Sequence, residues 1–402
     1  MKQFAVWACV FFSVATWAQR LTITGKITDA ADGEPLPYAS IGIKGKTIST
    51  ISNLNGEFDF HVPPEYRNDI LVISMMGYEN YEAPIWAIES PLTVRLHQHT
   101  TVLQEVVVKD SLTGGDILRI ALSRIEQNFP MKPFLLEGFY RDVKKVADSY
   151  ISLLEAAVKI YDEDYAEPRN KYKLRERVRL IEVRKSLGYE SRFTTFFDQD
   201  NLLEDLLLHN NIRYRQIEAR EPMFASMIRE PDSYYNGHEI FVVAHTDQYL
   251  LRIFIDKKTY AIVHLAYETG SSNEIIGKRG NLISKFAGLK KEIDFREVDG
   301  KMFLNYITMT SHVNWHDRKT DSLRFKTELF QQLLINKVHS KTNERIATTE
   351  KMRNYGLQYQ DKPYNREFWD NYNIIKDTPL DRKIVEDLER FAPLHRQFEG
   401  KQ

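Results

Sequence analysis

Apolar and polar positions alternate with a period of two through most of the first hundred residues. Leu21, Ile23, Gly25 and Ile27 alternate with polar neighbours, as expected of a strand that buries one face. Asp29 to Pro37, with Asp32-Gly33 and two prolines, reads as a turn. Tyr38–Lys44 and Lys46–Ser52 predict two more strands. Asn55-Gly56 predicts a tight turn, after which Phe58 and Phe60 share a face. Ile70–Ser74 is a continuous apolar run broken by Gly77. Leu92, Val94 and Leu96 alternate again, and Glu105–Val108 closes the unit. Roughly seven short strands in about 90 residues predict an antiparallel β-sandwich.

Beyond Lys109 the period changes. Lys109–Gly115 is a polar linker, and Asp116 is placed to cap a helix whose apolar positions run to Asn128, where Phe129-Pro130 stops it. Phe134–Lys144 and Ser149–Ile160 are two long segments, and Asp200–Asn210 predicts a short helix with Leu202, Leu203, Leu206 and Leu207 on one face. From Gly237 the chain is a meander. His238–Ala244, Leu250–Asp256 and Tyr260–Tyr267 predict strands, Ser271–Gly280 a polar loop, and Lys290–Val298, Lys301–Trp315 and Ser322–Val338 longer strands. Thr378-Pro379 opens a last helix with Ile384, Val385, Leu388 and Phe391 on its buried face. The expected fold class is mainly β with some α: a sandwich over residues 19–108, then an α+β domain over 116–402 built on a long curved antiparallel sheet.

The N-terminus adds a compartment. Met1-Lys2 is a positive start, Phe4–Val14 a short apolar run, and Ala18 the expected cleavage position of a signal peptide. Cys9, the only cysteine, lies inside that run, so the mature chain is expected to use neither disulfides nor thiols. A lipoprotein reading of Val6-Trp7-Ala8-Cys9 leaves almost no apolar stretch before the cysteine. No later stretch approaches ~18 uninterrupted apolar residues, so no transmembrane helix is expected. With 55 Lys+Arg against 56 Asp+Glu, a net charge of -1 argues against a general nucleic-acid binder.

Four motifs in order carry a resemblance: Gly25-x-Ile27-x-Asp29, Gly33–Ile41, Asn53–Phe58 and Ser74-x-x-Gly77-Tyr78. Together they resemble the carboxypeptidase-regulatory-like domain of Bacteroidota envelope proteins, which implies a transthyretin-like sandwich. Leu103–Val108 is similar to the tail of that domain where it precedes the plug of TonB-dependent receptors. Gly138–Arg141, Leu154–Tyr161 and, more weakly, Phe368–Tyr372 resemble an uncharacterised region that follows the sandwich in such proteins. In metallocarboxypeptidases the sandwich is an appendage, so the resemblance implies no hydrolysis.

The most unusual short segment is Lys171–Leu180. Lys171, Lys173, Arg175, Arg177 and Arg179 recur at every second position. On a strand they would form a stripe of roughly 27 Å on one face. Such a stripe suits the phosphates of lipopolysaccharide or an acidic glycan. It also suits a solvated face neutralised by Asp162, Glu163 and Asp164. Catalytic patterns are weaker. His312-Val313-Asn314-Trp315-His316 lacks the Glu of a zinc-peptidase helix, and His97-Gln98-His99 lies at a domain edge. Asp162 with Asp164, and Asp294 with Glu297, are carboxylate pairs of the kind chance supplies in a neutral chain with 56 acids. No serine elbow, phosphate loop or dinucleotide fingerprint is present, and no cofactor is expected. These residues point to an exported, periplasmic or outer-membrane-associated, non-catalytic protein. Its sandwich would dock or space, and its sheet would bind an envelope protein, a glycan or a lipid. The alternative is a secreted peptidase or glycosidase with its site on the second domain.

Overall fold

The computed structural model describes residues 21–99, 112–190, 192–197, 201–352, 356–376, 379–390 and 392–399. The expected signal peptide with Cys9, the expected strand at Glu105–Val108, Thr378 and Phe391 lie outside them.

Seven strands form the sandwich: β1 (Leu21–Asp29), β2 (Ser40–Ile43), β3 (Ser49–Ile51), β4 (Glu57–Val62), β5 (Ile70–Ser74), β6 (Tyr81–Pro84) and β7 (Leu92–Leu96). They pair as β4-β1-β7 and β3-β2-β5-β6. Every pair is antiparallel except β1 with β7, which run parallel. The alternation seen in the sequence is the inward face. Ile23, Ile27, Phe58, Phe60 and Val62 of one sheet meet Ile41, Ile43, Leu71 and Ile73 of the other. Each large apolar side chain buried this way contributes roughly 1.5–3 kcal/mol. The Asn55-Gly56 turn is closed by the Asn53 side chain, whose Oδ1 accepts from the amides of Asn55 (2.9 Å) and Glu57 (2.8 Å). Gly56 has φ +72°, and a Cβ there would lie 2.1 Å from the Ile27 carbonyl oxygen.

The second region opens with α1 (Gly114–Ser123) and α2 (Ile125–Asn128). Thr113, rather than Asp116, is the N-cap. Its hydroxyl accepts from the Asp116 amide at 3.1 Å, and the Asp116 carboxylate accepts from the Thr113 amide at 3.1 Å, a reciprocal capping box. The helix starts at Gly114 because it packs directly on backbone. A Cβ on Gly114 would lie 2.6 Å from Met227 O.

The remaining elements are β8 (Phe134–Val146), β9 (Ser149–Asp162), β10 (Arg177–Lys185), α3 (Leu202–Leu208), α4 (Glu221–Ser226), β11 (Ile228–Tyr235), β12 (His238–His245), β13 (Leu250–Asp256), β14 (Ile262–Thr269), β15 (Ile275–Arg279), β16 (Leu282–Val298), β17 (Lys301–Asp317), β18 (Leu323–His339), α5 (Arg366–Trp369), α6 (Pro379–Leu388) and α7 (Leu394–Phe398). The strands form one 11-stranded antiparallel sheet in the order β10-β9-β8-β18-β17-β16-β14-β13-β12-β11, with β15 on the outer part of β16. The Ser271–Gly280 segment is therefore not simply a loop, since Ile275 pairs with Lys285. A register shift between Phe286 and Gly288 breaks the alternation there and hides the first half of β16 from a reading by period.

Both faces of the sheet are covered. One carries Ile117 and Leu118 of α1, Phe129, and Leu203 and Leu206 of α3 over Tyr140, Ile253, Ile293, Ile307 and Leu333, all in one apolar core. On the other face Ile51 of β3 and Trp369 of α5 pack on Phe139, Ala157, Tyr306 and Leu334. Ile384 and Leu388 of α6 cover Val143 and Leu153. The apolar face that a carried lipid would need is thus filled by the protein's own side chains.

Candidate functional site

The basic stripe does not form. Only Arg177 and Arg179 of the five cations lie on a strand, because β10 starts at Arg177 and the chain before it turns. Lys171 donates to the Arg215 carbonyl at 2.9 Å. Arg175 pairs with Asp164 at 3.3 Å, and Arg177 donates to Ile346 O at 3.1 Å. Arg179 bridges Glu344 (2.8 Å) and Glu350 (3.0 Å). Lys173 lies in the turn segment before β10. These partners tie the 344–350 segment and the 162–167 loop to β10, and the far acids that supply them were not visible from the local spacing. Of the three nearby acids only Asp164 serves the stripe. Glu163 pairs with Arg345 at 2.9 Å.

Asp162 instead faces Arg213, a fully buried guanidinium held at 2.5 and 2.9 Å. Next to it the Tyr214 hydroxyl donates to Glu176, whose carboxyl is pushed up to about 7 by burial and then by the Asp162 charge. A second buried group joins Arg141 and Arg184 to Glu155, at 2.7 and 2.5 Å. Burial works to raise the Glu155 carboxyl, but Arg184 and Arg141 outweigh it and hold it below the usual range. Trp369 stacks over Arg184 at 4.4 Å. Among the described residues Lys291 has no such acid. Its ammonium donates to the His209 carbonyl at 3.3 Å, at the C-terminal end of α3, and burial pushes it down to about 8.

The histidine candidates fall apart as sets. His312 pairs with Glu328 at 3.7 Å and His316 with Asp321 at 3.6 Å. His99 stacks on Tyr234 at 4.0 Å. Asp294 accepts from Asn305 (2.9 Å) and lies 3.2 Å from His264 Nδ1. Among the described residues no group of three or more His, Asp or Glu is placed to hold a metal ion.

The structure does bring together a place with no local mark in the sequence: the junction of sandwich and sheet. The Val338 amide donates to Thr47 O at 3.1 Å, and Ile48 bridges Lys337. Arg296 of β16 reaches the sandwich, donating to the Ser49 hydroxyl, to Thr47 O at 2.9 Å and to Ile335 O at 3.3 Å. Burial pushes Arg296 down to about 10, so it stays charged at neutral pH, and its enclosed Nε has no partner among the described residues. Elsewhere the Gly77 amide donates to Tyr234 O at 2.7 Å, Asn373 Oδ1 accepts from the His61 amide at 2.8 Å, and Lys376 pairs with Asp59 at 3.0 Å. Contacts of this density hold the sandwich against the sheet.

Between the two lies a crevice of about 640 Å³. One wall is the β2–β3 hairpin with Lys44 and Lys46, plus Asn80. The other carries His238, Arg296 and Glu297. His238 contacts Asp256 at 2.5 Å, and Asp256 Oδ1 accepts from the Lys258 amide (2.9 Å) and the Thr259 amide (2.7 Å). That dyad therefore orders a turn at the mouth of the crevice. The lining mixes both charges with backbone and amide groups, which suits a polar, extended ligand better than an acyl chain.

Comparison with known proteins places the first region. Residues 23–108 match the CarboxypepD_reg-like domain. The chain is 34% identical over 115 residues to the TonB-dependent receptor SusC of Bacteroides thetaiotaomicron, a match covering 27% of this chain and 11% of the receptor. It is 31% identical over 91 residues to the TonB-dependent receptor P3 of Formosa agariphila, covering 23% and 9%. The chain thus spans about a tenth of the length of these receptors. Among solved structures, lipovitellin is similar over 58% of this chain and 28% of its own, at 9% identity and a TM-score of 0.25. The MucA/MucB complex of Pseudomonas aeruginosa is similar over 54% and 93%, at 11% identity and a TM-score of 0.19. Both likenesses are too distant to bear on function. This chain carries a CarboxypepD_reg-like domain at residues 23–108.

Proposed function

We propose that this protein is an exported component of the bacterial cell envelope that works by binding. In this reading the CarboxypepD_reg-like sandwich is a fixed wall rather than a tethered module, and the crevice beside it receives an extended polar segment of an envelope partner protein. The observation that carries the reading is the clamp at Thr47–Ser49, where Arg296 and the Ile48–Lys337 bridge hold the sandwich on the sheet and leave a polar crevice open beside it. The signal-like N-terminus and the domain shared with TonB-dependent receptors support the envelope location. The filled apolar core of the sheet counts against a carried lipid.

The test is photo-cross-linking in native cells, with a photoreactive residue at Lys46 or Asn80 in the crevice and, as control, at Glu126 on α2. A partner protein captured from the crevice positions alone, in an envelope fraction, is the expected result. A chain found in the cytosol, or one that cross-links equally from all three positions, overturns the reading. The hydrolase alternative makes a separate demand, turnover of a peptide or glycan panel by the purified protein.

A further inference from the structure

The long strands β16, β17 and β18 run past the rest of the sheet. At one end of the β16–β17 hairpin, the turn at Asp299-Gly300 lies near the sandwich clamp. At the other end, β15 and the two turns at Gly280-Asn281 and Arg318–Ser322 make a four-stranded tip. Leu282 and Arg296 are separated along β16 by roughly 45 Å, at about 3.3 Å per residue, so the tip lies far from the sandwich. The two turns are tied together, with the Arg318 amide donating to Asn281 O at 2.7 Å. Below them Phe196 packs edge-on against Trp315 and Phe325, at 5.0 Å from each. The tip is therefore a braced end of the sheet.

Register decides what its outer face shows. Ile275, Lys285, Asn314 and Lys326 form one row across β15, β16, β17 and β18, and Lys278, Ile283, His316 and Leu323 form the next. Residues paired across strands point to the same side of a sheet, so both rows share one side, where Ile275, Lys278, Leu323 and Lys326 are exposed and Ile283 is buried among them. Ile275 and Leu323 are each 49% exposed, and Ile276, the bulged residue at the β15 edge, is 54% exposed. Lys285 pairs with Asp321 at 2.7 Å, and Arg324 with Asp317 at 2.8 Å. Lys278, Lys326, Arg318 and Lys319 are exposed, and their side chains make no hydrogen bond or ion pair among the described residues. A chain of net charge -1 thus gathers unpaired cations around its exposed aliphatic residues at one projecting end.

We infer that this face is a docking surface for an anionic lipid membrane. Ile275, Ile276 and Leu323 would sit at the headgroup boundary, with Lys278, Lys326, Arg318 and Lys319 on the lipid phosphates. Three features favour a membrane over an acidic protein. The face borders none of the larger cavities of the described protein. Its free cations are mostly lysines, which protein–protein interfaces avoid and membrane boundaries accept, because the long stem stays in apolar surroundings while the ammonium stays wet. Its apolar residues are isolated aliphatics set among those cations, the mixture that anchors peripheral proteins. The inference rests on the envelope reading above and deepens it, placing the sandwich and its crevice at the end away from the lipid.

The test is sedimentation of the full mature chain with phosphatidylglycerol vesicles and with phosphatidylcholine vesicles. Binding is expected to the first, not the second, and to weaken as salt rises. The variant Lys278→Glu/Leu323→Ser/Lys326→Glu is expected to bind roughly 100-fold more weakly. An unchanged melting transition would show that this variant is folded. Wild-type protein that stays in the supernatant with both vesicle types, or a folded variant that binds as well as wild type, overturns the proposal. Retention on an acidic protein matrix without vesicle binding also overturns it, in favour of a protein partner. Cell fractionation separates the two readings: a wild-type chain that is exported but ignores vesicles loses the tip and keeps the envelope function, whereas a cytosolic chain loses the latter.

Discussion

In the sandwich, Asp29 is the only buried charged residue among those described, and its carboxylate is satisfied by neutral donors, the Ala31 amide (2.7 Å), the Tyr78 hydroxyl (2.8 Å) and the Gln98 amide (2.7 Å). The broad sheet buries Arg141, Lys144, Glu155, Asp162, Arg213 and Lys291, among others. Small size explains part of the contrast. Two short sheets enclose one apolar layer, whose inward positions are mostly aliphatic or aromatic side chains. The broad sheet is covered on both faces, so even its polar strand positions become interior, and ion pairs between distant segments make that tolerable. One region is held by turn chemistry and apolar burial around a single buried carboxylate with neutral partners, the other by apolar burial plus ion pairs between buried charges.

That contrast can be broken or sharpened by substitution. The largest expected effect is Arg213→Ala, which leaves Asp162 buried without its partner and should destabilise by about 3–5 kcal/mol in urea unfolding. The double change Arg213→Met/Asp162→Leu should recover most of this loss. If the double variant is as unstable as the single one, the pair does more than satisfy itself.

Gly56→Ala tests the sandwich. The positive φ and the Ile27 carbonyl contact predict a loss of roughly 2–3 kcal/mol. Hydrogen exchange should show β1 and β4 weakened more than β8 and β9. Gly33→Ala, at φ +79° with no atom within 4 Å of the new Cβ, should lose only about 1 kcal/mol.

Lys291→Met tests an unpaired buried charge. The folded protein holds this ammonium at about 8, down from 10.5. Between those values the unfolded chain binds more protons, so this group makes stability rise with pH across that window, and below pH 8 its burial costs stability in full. Replacing it should stabilise the protein at pH 7 by about 2 kcal/mol, after subtracting its hydrogen bond to His209 O. The advantage should vanish above about pH 10.5, which thermal melts across pH would show. Smallest of all, Arg179→Ala should cost under about 1 kcal/mol, because its pairs with Glu344 and Glu350 are partly exposed. A larger loss would mean that the 344–350 segment depends on this anchor.

Legibility follows the same division. Asn53–Phe58 and Gly33–Ile41 could be read correctly because a turn and the alternation beside it are properties of neighbouring residues. The longer strands were legible only where period two survived. The bulge at Phe286–Gly288 hid the outer half of β16, and a second between Ile275 and Gly277 hid β15, and with them the tip. The basic stripe misled because alternation of Lys and Arg in Lys171–Arg179 says nothing of whether the backbone is extended there. Arg296 left no local mark, since its partners Thr47, Ser49 and Ile335 are brought to it by strand pairing.

What the sequence determined by itself was the sandwich, its strands and turns, and the mainly β character of the rest, because periodicity and turn residues act over a few positions. Tertiary structure alone decided which charges are buried, that the sheet's apolar face is filled, and where the sandwich is clamped. Those outcomes depend on pairs as distant as Ser49 with Arg296 or Arg141 with the 364–376 segment, and no local pattern specifies which distant partner a buried charge will meet.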